Sequence, residues 1–232
     1  MLPTKFIDKA VPYPWPYDGN LKRENTALLV IDMQADFVAP GGYIDHMGYD
    51  VSLTARAIKP IRKVLDAARA IPGLMIIHTR EGHRPDLSDL PANKRWRSAL
   101  HGIPIGEAGP KGRILVRGEE GWDIVEELCP QAGELIIDKP GKSAFYATDL
   151  EVILRCRGIV NLILTGVTTD CCVHSTLRDA NDRGFECVTL SDCTGATVYE
   201  NHLAALSSIQ QSNGLFGCVS DSDAVIEVLE KI

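Results

Sequence analysis

Short apolar runs alternate with amphipathic stretches along the 232 residues. Ala27-Leu-Leu-Val-Ile31 has no polar interruption, the pattern of a strand covered on both faces. Leu74-Met-Ile-Ile77, Glu134-Leu-Ile-Ile137, Leu162-Ile-Leu164 and Glu186-Cys-Val-Thr-Leu190 repeat it, and a short strand is expected over 215–219. Between these runs the period lengthens. Over 53–71, Ile58, Ile61, Leu65 and Ala68 fall on one helical face, with Pro60 in the first turn. A short helix is expected over 122–128. Another opens at the capping box Thr148-Asp-Leu-Glu151 and stops at Gly158. A third takes Asp170 as N-cap and runs through Leu177 and Ala180 to Arg183-Gly184. Helices over 200–211 and 222–231 close the chain.

Strand alternating with helix implies a parallel sheet with helices on both faces. The expected fold class is therefore α/β: three αβα layers around a central, mostly parallel sheet, Rossmann-like in plan. Residues 1–25, where Pro12, Pro14 and Pro16 alternate with aromatics, are expected to form an extended arm, and residues 26–232 a single domain. The polar, Gly- and Pro-rich segment 81–120 is too long for a plain connection, so it is expected to be functional or an oligomer contact.

Bulk composition narrows the function. With 45% hydrophobic and 24% charged residues the chain is an ordinary globular protein, and its formal charge of -7 argues against nucleic-acid or acidic-membrane partners. No apolar stretch reaches bilayer length, and Met-Leu-Pro-Thr-Lys5 lacks a signal peptide's apolar core. Seven irregularly spaced cysteines do not suggest a disulfide framework, so reduced thiols in a cytoplasmic protein are expected.

Chemistry gathers at strand ends. Asp32 follows the first strand directly, Lys139 the third, and Cys171-Cys172 the fourth. Right-handed crossovers bring such positions to one edge of a parallel sheet, where open α/β folds bind ligands. A thiol in the first turn of a helix faces the positive end of the dipole, which favours thiolate. A carboxylate takes its proton, a lysine holds both by charge, and backbone N–H groups around Thr168 to Cys172 offer an oxyanion site. Spacing alone leaves Cys171 and Cys172 equal, since their side chains diverge by roughly 100° on a helix. Buried structural cysteines are the bland alternative for the pair. His78 and His83 could supply two metal ligands but no third is evident, and no dinucleotide-binding glycine fingerprint follows a strand, so neither metal nor cofactor is expected.

Three stretches resemble the isochorismatase-like cysteine hydrolases: Leu29-Val-Ile-Asp-Met-Gln34 with Asp36-Phe37, Asp138-Lys139, and Thr165-Gly-Val-Thr-Thr-Asp-Cys-Cys-Val173. The resemblance implies a triad of Asp32, Lys139 and Cys172, choosing the cysteine that precedes Val173. It also implies a cis peptide at Val167-Thr168 and an oxyanion hole from the N–H groups of Thr168 and Cys172. Within that family, Pro12-Tyr-Pro-Trp-Pro-Tyr17, His78-Thr-Arg-Glu-Gly-His-Arg-Pro-Asp86, Pro91-Ala-Asn-Lys-Arg-Trp-Arg-Ser98 and Asp138-Lys-Pro-Gly-Lys142 resemble the biuret and triuret hydrolase branch. Substrate contacts are then expected from Lys142, Phe37, Ser212 and Asn213. Two departures stand out: Ser212-Asn213-Gly214 replaces the branch's Gln-Gly-Gly, and Val38-Ala39-Pro40 replaces a more polar Cys-Gly-Lys. The shorter Ser212 leaves room for a longer ureide such as triuret.

The resulting expectation is an amidohydrolase that releases ammonia from a small linear ureide through a Cys172 thioester, as a homo-oligomer, tetrameric by the resemblance. The alternatives are a ureidoacrylate or N-carbamoylsarcosine-type amidohydrolase of the same fold, a non-catalytic binding or scaffold protein, and a redox sensor built on the adjacent cysteines.

Overall fold

The computed structural model describes residues 5–232, so the first four residues, including most of the Met1–Lys5 start, lie outside it. Six strands form one sheet: β1 (Thr26–Ile31), β2 (Met75–Glu81), β3 (Leu135–Lys139), β4 (Asn161–Val167), β5 (Glu186–Gly195) and β6 (Cys218–Ser220). Every pairing in it is parallel, in the order β3-β2-β1-β4-β5-β6. The principal helices are α1 (Ile58–Arg69), α2 (Ala92–Leu100), α3 (Leu150–Cys156), α4 (His174–Asp182), α5 (Tyr199–Gly214) and α6 (Ser222–Leu229).

Period-two alternation in each strand divides the core. Leu28 and Val30 of β1 face one side with Ile61, Val64 and Leu65 of α1 and Val225 and Leu229 of α6. Ala27, Leu29 and Ile31 face the other, packing with Leu150 and Leu154 of α3 and Val173, Leu177 and Ala180 on and before α4. Burial on both faces explains the unbroken apolar runs, and the three-layer αβα fold follows. Chain order reverses direction between β1 and β4, which opens a crevice at their carboxyl ends. Gly166 makes this junction possible. Its φ is +109°, and an added Cβ would stand 2.0 Å from the Ile31 carbonyl oxygen. Any side chain there would part the two strand ends.

Several local expectations fail for identifiable reasons. The helix expected over 53–71 is split into Ser52–Ala55 and α1. In place of a helix at 122–128 there is only a 3₁₀ turn, Glu126–Leu128, because Ile124 is engaged in an antiparallel bridge with Gln34. The capping box at Thr148 does not form: its hydroxyl donates to Ala144 O at 2.6 Å, and Glu151 pairs with Arg183 instead. Asp170 caps nothing and accepts from Asn201 Nδ2, since the chain first makes a π-turn, Thr169–Val173. The strands at 162–164 and 186–190 run longer than their apolar cores, and α5 breaks at 211–213.

From residue 5 the arm lies along β6 of its own chain. Val11 and Val219 exchange two backbone hydrogen bonds of 2.9 Å, and Trp15 is wholly buried. Segment 81–120 holds α2 and a small hairpin, Ala108–Gly109 with Gly112–Arg113. No helix among the described residues is long and apolar enough to cross a membrane.

At the opposite sheet edge, Glu134 accepts from Arg69 Nε at 2.7 Å and from the Gln131 N–H at 2.9 Å, and lies 2.8 Å from His78 Nε2. Burial alone would raise its pKa, but these partners outweigh burial and hold it at about 2. A carboxylate depressed in the folded state contributes stability above its unfolded pKa, near 4.3, that is lost as pH falls toward 2. Glu134→Gln is therefore expected to destabilise the protein by about 1–3 kcal/mol at pH 7 and by much less at pH 2.5, read from urea unfolding at both pH values.

Candidate active site

Asp32, the first residue after β1, adopts a left-handed φ of +52°, which aspartate tolerates better than most residues. Its side chain is fully buried. Oδ1 accepts the Thr79 hydroxyl at 2.6 Å, and Oδ2 lies 2.7 Å from Lys139 Nζ. Lys139 closes β3 with its ammonium also fully buried, donating to Gly141 O at 2.9 Å. The π-turn after β4 presents Cys172, and the Thr169 hydroxyl ties that turn to His202 Nδ1 of α5 at 2.8 Å. The Val167–Thr168 peptide is cis. Three strand ends thus deliver the three residues that the sequence singled out to one buried cluster.

A fourth group completes it. Glu81, the last residue of β2, accepts the Cys172 thiol on Oε2 at 3.1 Å, and the same oxygen lies 3.5 Å from Lys139 Nζ. Its Oε1 accepts from Lys94 Nζ of α2 at 2.6 Å. Gln34 fixes its backbone, accepting from the Glu81 N–H at 2.7 Å and donating to the Glu81 carbonyl at 2.9 Å. Asp32, Glu81 and Cys172 offer ligand-type atoms within 4.8 Å of one another, and the cation that already meets the two carboxylates is the Lys139 ammonium. Cys171 is outside this set, so the geometry separates the two cysteines where spacing did not.

Electrostatics differ from the sequence expectation of a ready thiolate. The hydrogen bond with Cys171 and burial raise the Cys172 thiol well above its ordinary range, with Glu81 and Asp32 adding to this and the Lys139 and Lys142 ammonium groups opposing it. A helix-end dipole is weak beside two carboxylates in a buried site. Burial also raises Asp32 despite Lys139. Glu81 goes the other way. Burial would raise it, but Lys139, Lys94 and Lys142 together hold it at about 2. The free site therefore contains a thiol, an ionised Glu81 and a Lys139 whose pKa is raised because Asp32, Cys172 and Glu81 outweigh burial.

A cavity of about 390 Å³ opens onto this cluster. Cys172, Cys171, Thr168, Glu81, Lys94 and Lys142 line its inner end, Phe37 and Tyr43 form part of its apolar wall, and Arg97 and His101 bring cationic or protonatable groups from segment 81–120. Asp32 and Lys139 lie behind the thiol, outside the lining. Of the expected substrate contacts, Lys142 and Phe37 face the cavity. Ser212 and Asn213 do not. They occupy the left-handed break in α5, exposed to solvent, where the chain turns toward Tyr13 of the arm. A short Ser212 therefore does not lengthen this cavity. His78 and His83 engage different partners, Glu134 and Asp89, and do not converge on a common ligand.

Sequence reasoning passed over Glu81, Lys94 and Gln34. The rule that selected Asp32 and Lys139 would have found Glu81 had β2 been carried to its true end. The apolar run stops at Ile77, but pairing continues for four polar residues, with Glu81 opposite Lys139.

The chain matches the Isochorismatase domain family over residues 26–222. It is 37% identical to ureidoacrylate amidohydrolase RutB of Stutzerimonas stutzeri over 210 residues, covering 88% of this chain and 82% of that protein. It is 36% identical to the enzyme of the same name from Serratia proteamaculans, covering 89% and 83%. Among solved structures, a cysteine hydrolase from Pseudomonas syringae pv. phaseolicola superposes with a TM-score of 0.77 at 27% identity, covering 100% of this chain and 99% of that one. N-carbamoylsarcosine amidase from Thermoplasma acidophilum does so with a TM-score of 0.64 at 25% identity, covering 86% and 97%.

Proposed function

The chain belongs to the isochorismatase family, and on that premise we propose that it is a cysteine amidohydrolase acting on a terminal ureido group, H₂N–CO–NH–R. The observation that carries this reading is the cavity ending at Cys172 with an acid–lysine pair behind the thiol and both acceptor and donor groups beside it. Asp32 takes the thiol proton as Sγ adds to the carbonyl carbon, and the oxyanion is received by the N–H groups of Thr168 and Cys172. Collapse expels the amine, protonated by Asp32, and leaves an acyl-enzyme on sulfur, a thiocarbamate when the carbon is that of a ureide. Water then adds, Asp32 again taking its proton, and the carboxylated product leaves with the thiol restored. Lys139 stays protonated and holds the charges in register.

Two substrates of this class have separate support. Relatives named for ureidoacrylate favour an N-carbamoyl acid, and Arg97 and His101 would meet its carboxylate. Biuret or triuret is favoured by where the branch-like motifs fall: Glu81, Lys94, Arg97, Ser98 and Lys142 all line the cavity. Ammonia release from ureidoacrylate, biuret and triuret, each with a Cys172→Ser control, decides between them. Turnover of at least one by the wild-type protein alone is expected. Inactivity toward all three would reject the ureide reading and leave the hydrolase assignment in place.

A further inference from the structure

Glu81 has no part in the sequence of steps above, yet it is the carboxylate that touches the thiol. Asp32 stands behind Cys172, whereas Glu81 stands on the cavity wall beside it. Its two oxygens do different things. Oε1 is held by Lys94, and Oε2 accepts the Cys172 Sγ–H with Lys139 Nζ at 3.5 Å. An ionised carboxylate is an acceptor only, with about four lone-pair sites, so Oε2 and Oε1 retain capacity toward the cavity. A substrate of this class brings two N–H donors on its terminal amino group to just that place.

We infer that Glu81 is a substrate-gated latch: it restrains the Cys172 thiol in the empty site and accepts the terminal amino group of the ureide when substrate arrives, freeing the sulfur to pass its proton to Asp32. Lys94 is the positioning residue that anchors the latch, and Gln34 sets its backbone. The groups facing the thiol are Glu81, Asp32, Lys139, Lys142 and Cys171, and those facing Glu81 are Lys139, Lys94 and Lys142, with Asp32, Tyr43, His83 and the two cysteines also near it. Before substrate binds, the negative Glu81 opposes ionisation of a sulfur 3.1 Å away. The arrangement keeps a buried nucleophile unreactive until an N–H donor replaces the thiol, and it disfavours a substrate that presents an oxyanion at this end. No bond is made or broken at Glu81, which stays ionised throughout.

The inference rests on the amidohydrolase reading, but its first test needs no substrate. Alkylation of Cys172 by iodoacetamide, followed at that residue by tandem mass spectrometry, is measured against pH for wild type, Glu81→Gln and Glu81→Asp. Removing the like charge is expected to speed alkylation of Glu81→Gln at pH 7.5 by about tenfold or more, the change in thiolate fraction that one pKa unit gives below the pKa. The same variant is expected to lose turnover of its ureide, mainly through a KM raised about tenfold or more. Glu81→Asp, which keeps the charge, should alkylate near the wild-type rate. Loosening of the fold would also expose the buried thiol and lower turnover, so the latch is separated from general damage by an unchanged urea midpoint for Glu81→Gln together with a lower pH midpoint of its alkylation. Unchanged or slower alkylation in Glu81→Gln overturns the proposal, as does an unchanged KM. Absence of any ureide turnover by wild type would instead count against the substrate class.

Discussion

Cys172→Ala is expected to remove turnover almost completely, by on the order of 10⁴–10⁶ in kcat, the scale on which loss of a covalent nucleophile is felt. The reason is geometric. Cys172 alone of the seven cysteines places its sulfur among Asp32, Glu81 and Lys139, so no neighbour can take over its bond to the carbonyl carbon. Cys171 lines the same cavity, but it has no acid–lysine pair behind it. Cys171→Ala is therefore expected to cost at most about 10-fold, through altered packing and a shifted Cys172 thiol rather than through lost chemistry. Burst kinetics with a slow ureide give the second readout: the wild type and Cys171→Ala should accumulate a mass adduct on Cys172, and Cys172→Ala none. Comparable losses from the two substitutions would contradict the choice of Cys172 as nucleophile.

Much of this was legible in the chain because parallel strands are buried on both faces and must read as unbroken apolar runs. That pattern located five of the six strands, the sixth being expected over 215–219 and found over Cys218–Ser220, and through them the edge on which Asp32, Lys139 and the cysteine turn meet. The misses share a physical cause. Apolar patterning reports where the core lies, and strands extend past the core wherever backbone pairing continues. β2 pairs four residues beyond Ile77, which puts Glu81 at a strand end where apolar patterning alone predicts a loop. Capping signals failed at Thr148 because its hydroxyl turns back to the local Ala144 carbonyl, and at Asp170 because that residue lies inside the π-turn that precedes α4. The expected thiolate failed because a dipole can be inferred from a turn, whereas the contact with Cys171, the burial of the sulfur and the added charges of Glu81 and Asp32 arise only in the folded site. Ser212 and Asn213 were assigned by resemblance alone, with no periodicity or strand-end rule behind them, and the chain carries them to the arm side of α5 instead.

Lys139→Met is expected to damage folding as well as catalysis, and the pH dependence of the damage identifies its source. The ammonium is wholly buried and lies 2.7 Å from Asp32, 3.5 Å from Glu81 and 2.9 Å from the Gly141 carbonyl. Methionine fills a similar volume, so packing is largely kept and the loss is electrostatic. Removing one partner of a buried ion pair leaves the other charge uncompensated and costs about 3–5 kcal/mol. Glu81 keeps Lys94, but Asp32 keeps only the Thr79 hydroxyl and its own backbone contacts. Burial already raises the Asp32 pKa against the pull of Lys139, and without the lysine nothing charged opposes it. In the variant Asp32 is pushed further toward its protonated form. A carboxyl whose folded pKa lies above its unfolded value favours the folded state below the unfolded pKa, and this contribution is lost as pH rises through the folded pKa. Lys139→Met should therefore have its higher urea midpoint at pH 5 and its lower one at pH 8, a slope steeper than the wild type shows. Turnover should fall by at least about 10³ at both pH values, because a protonated Asp32 cannot accept the thiol proton and an ionised one has lost the charge that held it. A variant as stable as the wild type, with the same slope between pH 5 and pH 8, would mean that Asp32 is not held by Lys139 in solution.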